Sequence, residues 1–436
     1  MTLAITAAID TGDTAWMLAA TALVLLMTPA LGLFYAGLVR SKNTLNTFMM
    51  CIAALAIALI TWVVIGYSLA FGGDGPIIGG LGHAFLQDVT LEPRDGQTIP
   101  HLLFMAFQAT FCIVTTALVS GAVVERMRFG PFLVFSALWS VLVYAVLAHW
   151  AFGGGWLMEG GTLDFAGGVP VEMASGFSAL AAALVVGARK DYGRQALLPH
   201  NAIYVLLGAG LLWFGWFGFN GGSGLTASGV SVLAFVNTLI TPAFALATWF
   251  VLDLLRARKV TAIGAATAII VGCVGITPAA GYISPGWAMA LGVVAALPSY
   301  AIIMWRPRTH VDETLDVLGA HGVAGLTGML FLGLVAQVGW NGGLGDGLLY
   351  GDANQFLWQL IAVIAAPVYA FGMTFALLKL IGAFATLRVS ERDEALGLDV
   401  VSHGEEAYVT GEGALLLEPD EIWAERRAAP EPAGAG

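Results

Sequence analysis

The sequence predicts an all-α membrane protein of eleven transmembrane helices, arranged as two inverted five-helix repeats plus a final helix. Three observations carry this: an apolar composition, eleven long apolar runs, and a one-sided distribution of basic residues. Of 436 residues, 58% are hydrophobic and only 11% are charged. Soluble domains carry about 25% charged residues, so a chain this apolar cannot cover a water-facing surface. The formal net charge of -11 comes largely from the last 50 or so residues. No basic patch or stripe is present, which excludes a nucleic-acid partner.

A helix needs about 20 apolar residues to span roughly 30 Å of hydrocarbon. Runs of that kind lie at 14–38, 44–72, 100–123, 130–151, 170–188, 200–220, 229–255, 260–280, 286–305, 317–338 and 355–385. Placing the N-terminus outside tests the count, because cytoplasmic loops collect Lys and Arg. Arg40 and Lys42, Arg126 and Arg128, Arg189, Lys190 and Arg194, Arg256, Arg258 and Lys259, and Arg306 and Arg308 then all fall inside. So do Lys379 and the basic residues of the tail. Of the 18 basic residues, 17 are inside and Arg94 alone is outside. A wrong number of spans would scramble this pattern. The outside loops are acidic or neutral. Residues 1–386 are thus expected to form the membrane domain, and 387–436 a cytoplasmic tail whose last 25 or so residues are disordered. The first 13 residues lack the basic stretch of a secretory signal and are expected to stay on the chain.

Cys51, Cys112 and Cys273 lie singly in apolar runs and read as buried thiols. The glycines that saturate the spans allow close helix approach. Gly153-Gly154-Gly155 is a loop, without the following Lys-Ser/Thr of a phosphate cradle.

Ionisable residues inside a membrane are costly and mark function. Glu172 and His321 stand out. Each is followed four residues on by glycine, then an apolar residue, then a hydroxyl: Glu172-Met-Ala-Ser-Gly-Phe-Ser and His321-Gly-Val-Ala-Gly-Leu-Thr. Asp164 precedes Glu172 by eight residues and Asp312 precedes His321 by nine. The fifth span runs inward and the tenth outward, as inverted repeats with a midplane site require. Eight or nine helical residues rise roughly 12–14 Å, close to half of a core about 30 Å thick. Both side chains are therefore expected to meet at the midplane as a coupled acid–imidazole pair. Asp164 itself has the position of a helix N-cap.

A second set is aromatic: Phe107-Gln-Ala-Thr-Phe111 in the third span, and Trp213 to Ser223 closing the sixth. Aromatic faces attract a bare cation and a hydroxyl accepts from it, although aromatics in membrane helices are often packing or interface residues. There is no nucleophile–base set and no metal-ligand cluster. Neither enzymatic activity nor a cofactor is expected.

On these residues the chain resembles the ammonium transporter family (Amt/Mep, with the Rh proteins as distant relatives). The resemblance covers about Ala15 to Tyr408. It rests on Leu33-Phe-Tyr-Ala-Gly-Leu-Val-Arg-Ser-Lys-Asn43, Ala106 to Phe111, Asp164-Phe-Ala-Gly-Gly168, Gly215 to Asn220, Thr277-Pro-Ala-Ala-Gly-Tyr282, Asp316 to Gly322, and Gly397-Leu-Asp with His403-Gly-Glu. It implies a homotrimer in the lipid bilayer with one ammonium/ammonia pore per subunit. By resemblance, Phe107, Phe152 and Ser223 form an outer recruitment site supported by Asp164. Phe111 and Phe219 are its gate, and Trp216 and Thr277 line the path towards Glu172 and His321. The tail is expected to couple subunits, and a PII-type signal protein to dock on the cytoplasmic face.

Two departures matter. Phe152 stands where the family usually has Trp, a weaker cation–π partner. Glu172 stands at the first position of what is commonly a histidine pair. The proton route of twin-histidine members therefore does not transfer intact. The expected activity is electrogenic ammonium uptake. An electroneutral ammonia channel and an ammonium sensor signalling through its tail are the alternatives.

Overall fold

A computed structural model describes residues 8–73 and 75–408. Among the described residues, eleven helices are long and apolar enough to cross a membrane. They are α1 (Thr11–Leu38), α2 (Ser41–Phe71), α3 (His101–Ser120), α4 (Phe129–Gly160), α5 (Gly168–Val186), α6 (Ala202–Gly222), α7 (Gly229–Ala257), α8 (Ala262–Ala279), α9 (Pro285–Arg308), α10 (Leu318–Val335) and α11 (Ala353–Phe384). Among the described residues there are isolated bridges but no strand. The expected fold class and span count hold. The largest boundary difference is in α4, which breaks at the expected glycine loop and resumes as a short turn, Trp156–Gly160. At Gly153 a Cβ would run into the carbonyl of Ala70, so only glycine fits that break. The three cysteines are buried and free. The chain-terminal segments 1–7 and 409–436, including the expected disordered end, lie outside the described residues.

Side chains such as Ile60, Phe214, Val232, Val251, Leu255, Ile364 and Val368 project outward from α2, α6, α7 and α11. In water they would form a sticky belt; in hydrocarbon they are the solvent contact. The close contacts inside are made by small residues. Gly208, Gly215, Gly218 and Gly222 on α6 lie against Phe34, Met27, Leu23 and Ala20 of α1 without room for a Cβ. These are the first helices of the two halves. The fifth helices pair in the same way. Gly176 of α5 meets Gly322 of α10 backbone to backbone, and Gly325 of α10 meets the Cβ of Glu172. The glycines that follow Glu172 and His321 are thus the crossing points of α5 and α10.

The ends of the bundle separate cleanly. At one, the loops after α1, α3, α5 and α9 meet the tail, and this is called the tail end. Glu125 joins Arg40 (3.1 Å) and Arg189 (2.7 Å), and Arg189 joins Asp312 at 2.8 Å. The Arg126 side chain reaches Thr314 and the Asp312 carbonyl, each at 2.6 Å. The tail is stitched on here: Arg128 N–H donates to the Leu387 carbonyl. The Asp399 carboxylate accepts from the N–H groups of Leu45 and Asn46 near the start of α2. At the opposite end, the Asp13 carboxylate accepts from Thr98 and Ala227. There too Gln359 of α11 pairs with both backbone groups of Leu163 (2.9 and 2.8 Å). Odd and even connections fall at opposite ends, as alternating spans require.

Candidate functional site

Glu172 sits on α5 and His321 on α10, each in a π-helical first turn, Gly168–Met173 and Leu318–Val323. Such turns widen a helix and commonly present functional side chains. His321 Nδ1 and Glu172 Oε2 are 2.8 Å apart, with Glu172 fully buried and His321 nearly so. Glu172 Oε1 takes no hydrogen bond from the protein. The expected juxtaposition from opposite ends is present.

The caps of these two helices correct one detail of the repeat. The Asp164 carboxylate accepts from the N–H groups of Gly167, Gly168 and Val169 at 2.7–2.9 Å; it caps the helix start as expected of a carboxylate there, although the N-cap residue itself is Gly167. Gly167 lies at φ +129°, where a side chain would be strained. In α10 the same task falls to Glu313, which accepts from Val317 and Leu318, and not to Asp312. Asp312 is turned to Arg189 instead. The repeat spacing is therefore eight residues in both halves, since Glu313 precedes His321 by eight. Burial pushes the Asp164 carboxyl up to about 6, against the lowering effect of the backbone N–H groups it accepts from.

Three cavities line up through the bundle. At the end opposite the tail, a cavity of about 350 Å³ is bounded by Ser223, Phe152, Asp164, Phe111, Gln108, Phe165, Tyr282 and Arg94, among others. Ser223 donates to the Phe219 carbonyl at 2.7 Å, which leaves its oxygen lone pairs for a donor in the cavity. The floor is Phe111, whose ring centroid is 4.5 Å from that of Phe219 at a 54° tilt. Below it, a central cavity of only about 20 Å³ is walled by Phe219, Trp216, Glu172, His321 and aliphatic side chains including Leu31, Val114, Leu118 and Ile270. A third cavity, about 370 Å³, opens at the tail end and is also bounded by His321, with Tyr35, Arg189, Thr314 and Asp316. His321 borders both of the last two.

Phe152, Ser223 and Asp164 converge as expected, and Phe111 and Phe219 form a double floor. Phe107 does not line the cavity. Its ring is fully buried behind Phe111, 4.8 Å away centroid to centroid, and against Gly222. Thr277 is likewise one layer back. Its hydroxyl accepts from Trp216 Nε1 at 2.9 Å and donates to the Cys273 carbonyl, so it aims the indole that borders the central cavity. The aliphatic wall carried no sequence signal, because Leu, Val and Ile in a pore look like those facing lipid. Gln359, which fixes the Asp164 loop, carried no signal of its own, being one of three amides with Asn354 and Gln355 at the start of α11.

A model of the Ammonium Transporter Family matches residues 15–408. The chain is 46% identical over 399 residues to an ammonium transporter of Bacillus subtilis, covering 91% of this chain and 98% of that one. It is 43% identical to Ammonium transporter Amt1 of Archaeoglobus fulgidus, covering 91% and 99%. The structure superposes on the crystal structure of Candida albicans Mep2 with a TM-score of 0.84 at 35% identity, covering 88% and 87%. It superposes on a structure described as a sensor Amt protein with a TM-score of 0.83 at 28% identity, covering 90% and 98%. This chain, with eleven apolar helices around a line of cavities that narrows at a buried acid–imidazole pair, belongs to the Ammonium Transporter Family, a family of membrane transporters and not of enzymes.

Proposed function

We propose that ammonium is captured at the Ser223 cavity, that the Glu172–His321 pair handles its proton, and that net charge crosses with it. The observation that carries this reading is the 2.8 Å contact between Glu172 and His321 at the narrowest point of the path. A space of about 20 Å³ admits a water-sized particle and no hydration shell. Moving a bare ion from water into a low-dielectric interior costs of order 20 kcal/mol before compensation. A cation therefore needs a partner there or must give up its proton. Glu172 Oε1 is an acceptor without a partner in the protein. Ammonium passing the Phe111–Phe219 floor gives its proton to this carboxylate and continues as ammonia. The acid–imidazole pair then holds two protons as one coupled unit. Release of one from the His321 side restores the starting state, and ammonia recovers a proton in the tail-end cavity. One positive charge has then crossed for each ammonium. A membrane potential drives it at about 2.3 kcal/mol per charge per 100 mV.

The Ser223 end faces outward and the tail end faces the cytoplasm in this reading. The support is the clustering of Arg40, Arg126, Arg189 and Arg388 at the tail end. Residues 1–386 act as the transport domain. The tail from residue 387, folded onto the loops after α1 and α3, couples subunits of a homotrimer and offers a surface to a PII-type signal protein.

The test is current on ammonium pulses in proteoliposomes. Wild type carries current, and Glu172→Gln and His321→Ala each lose most of it. Full currents in both variants would remove the pair from the mechanism. Ammonia flux with no charge movement would establish the electroneutral alternative. Ammonium binding with neither flux nor current would make the protein a sensor.

A further inference from the structure

The Ser223 cavity contains a cation of its own. Arg94, in the connection between α2 and α3, places its guanidinium carbon 4.6 Å from the Phe104 ring centroid and 5.6 Å from that of Phe71. Both rings border the same cavity as Ser223, Phe152, Phe111 and Asp164. Among the described residues the guanidinium takes part in no ion pair. The charged groups bordering the cavity are Arg94, Asp95 and Asp164.

Two physical consequences follow. Aromatic faces are what a bare ammonium seeks after it sheds water, and here two of them are already covered by a tethered cation. A fixed positive charge in a cavity with low-dielectric walls also lowers the local concentration of a second cation. We infer that Arg94 sets the ammonium affinity of this cavity: it occupies the Phe71–Phe104 face and opposes the incoming cation by charge. The residue acts on capture. It lies above the Phe111 floor and so leaves the proton-handling pair untouched.

The inference rests on the reading that ammonium loads from the Ser223 cavity. Half-saturating ammonium for flux into proteoliposomes is measured for Arg94→Lys, Arg94→Gln and Arg94→Glu, with Ser223→Ala alongside. Arg94→Lys is expected to stay near wild type. Arg94→Gln should lower the half-saturating concentration by roughly three- to tenfold, and Arg94→Glu further, at similar maximal flux. The spread should shrink as ionic strength rises from about 0.01 to 0.15 M, because screening shortens the reach of the charge. Equal half-saturation in the Gln and Glu variants and wild type would overturn the inference. So would Arg94→Lys shifting as far as Arg94→Gln, which would mark a packing role, or a change confined to maximal flux. If Ser223→Ala also leaves half-saturation unchanged, the loading reading itself fails. If Ser223→Ala shifts it while the Arg94 variants do not, only the role of Arg94 fails.

Discussion

Gly176 and Gly322 touch backbone to backbone where α5 and α10 cross, one turn beyond Glu172 and one residue beyond His321. The contact sets how close the acid and the imidazole come. Gly176→Ala would force a methyl into the opposing backbone. Overpacking of this kind costs about 1–3 kcal/mol and would push the two helices apart. A lowered thermal midpoint in detergent and a loss of most ammonium current are expected. Gly372→Ala in α11, where an added Cβ meets nothing, should leave both unchanged.

Glu172 and His321 should behave as one unit. Removing either partner strands the other, so the losses in a double variant are not additive. Glu172→Gln and His321→Ala are each expected to reduce current by at least about tenfold. The combined variant should be no more than about twofold worse than either. Multiplication of the two losses would show that the residues act separately. The check is a double-mutant cycle on currents at fixed pH and voltage.

If ammonium is captured at the Ser223 cavity as proposed, Asp164 gives that step a pH limit. Its folded-state value is raised to about 6 by burial, so the group binds its proton more tightly in the folded protein than in the unfolded chain. Its favourable contribution to folding is present at low pH and is lost as pH rises from the unfolded value, about 4, to about 6. Capture runs the other way. Below about pH 6 the cavity loses a carboxylate charge, and half-saturating ammonium should rise as pH falls from 7 to 5. Asp164→Asn should show the higher value throughout, with that limb flattened. A wild-type affinity constant from pH 7 to 5 would contradict this.

Arg189 bridges two buried carboxylates, Glu125 at 2.7 Å and Asp312 at 2.8 Å. Both are depressed overall. Burial is the largest single effect and would raise them, but the cations together outweigh it: Arg189 with Arg40 at Glu125, and Arg189 with Arg126 at Asp312. Stability from depressed acids is present above their unfolded values, about 4, and is lost as pH falls through the lower folded ones. Wild type should therefore lose thermal stability below about pH 4. Arg189→Met leaves Asp312 buried without an ion-pair partner and Glu125 with Arg40 alone, at a cost of about 3–5 kcal/mol. The thermal midpoint should drop at pH 7, and acidification should narrow the gap to wild type.

The tail is held through the start of α2. Asp399 is buried and accepts from Leu45 and Asn46, a capping contact worth about 0.5–2 kcal/mol. Asp399→Ala should speed proteolysis near Leu387–Ser390 and leave the spans intact. Cleavage at the wild-type rate would show that the bond of Leu398 N–H to Asn43 suffices.

Legibility in the sequence followed how unusual each residue is in lipid. Glu172 and His321 were visible because an ionisable group in an apolar run needs a reason. Ser223 and Phe152 are legible only through the resemblance, and both border one cavity. Phe107 and Thr277 carried the same kind of signal yet stand one layer behind the lining, since residue type does not report which way a helix face turns. By sequence, Asp312 looks like the repeat partner of Asp164. Its neighbour Glu313 has the same charge, and only backbone geometry separates the helix cap from the ion-pair acceptor.

By itself the sequence determined eleven spans, their alternation and the presence of two ionisable residues at matched depth. Hydrocarbon demands long apolar helices and penalises every buried charge, so these features are written in composition. Only the tertiary structure decided that Glu172 and His321 lie 2.8 Å apart, that Phe111 and Phe219 close one cavity above another, and that Arg94 shares the Ser223 cavity. Those facts depend on helix rotation and loop path. Both are set by packing between segments far apart in the chain, where a glycine or a leucine reads the same whichever neighbour it meets.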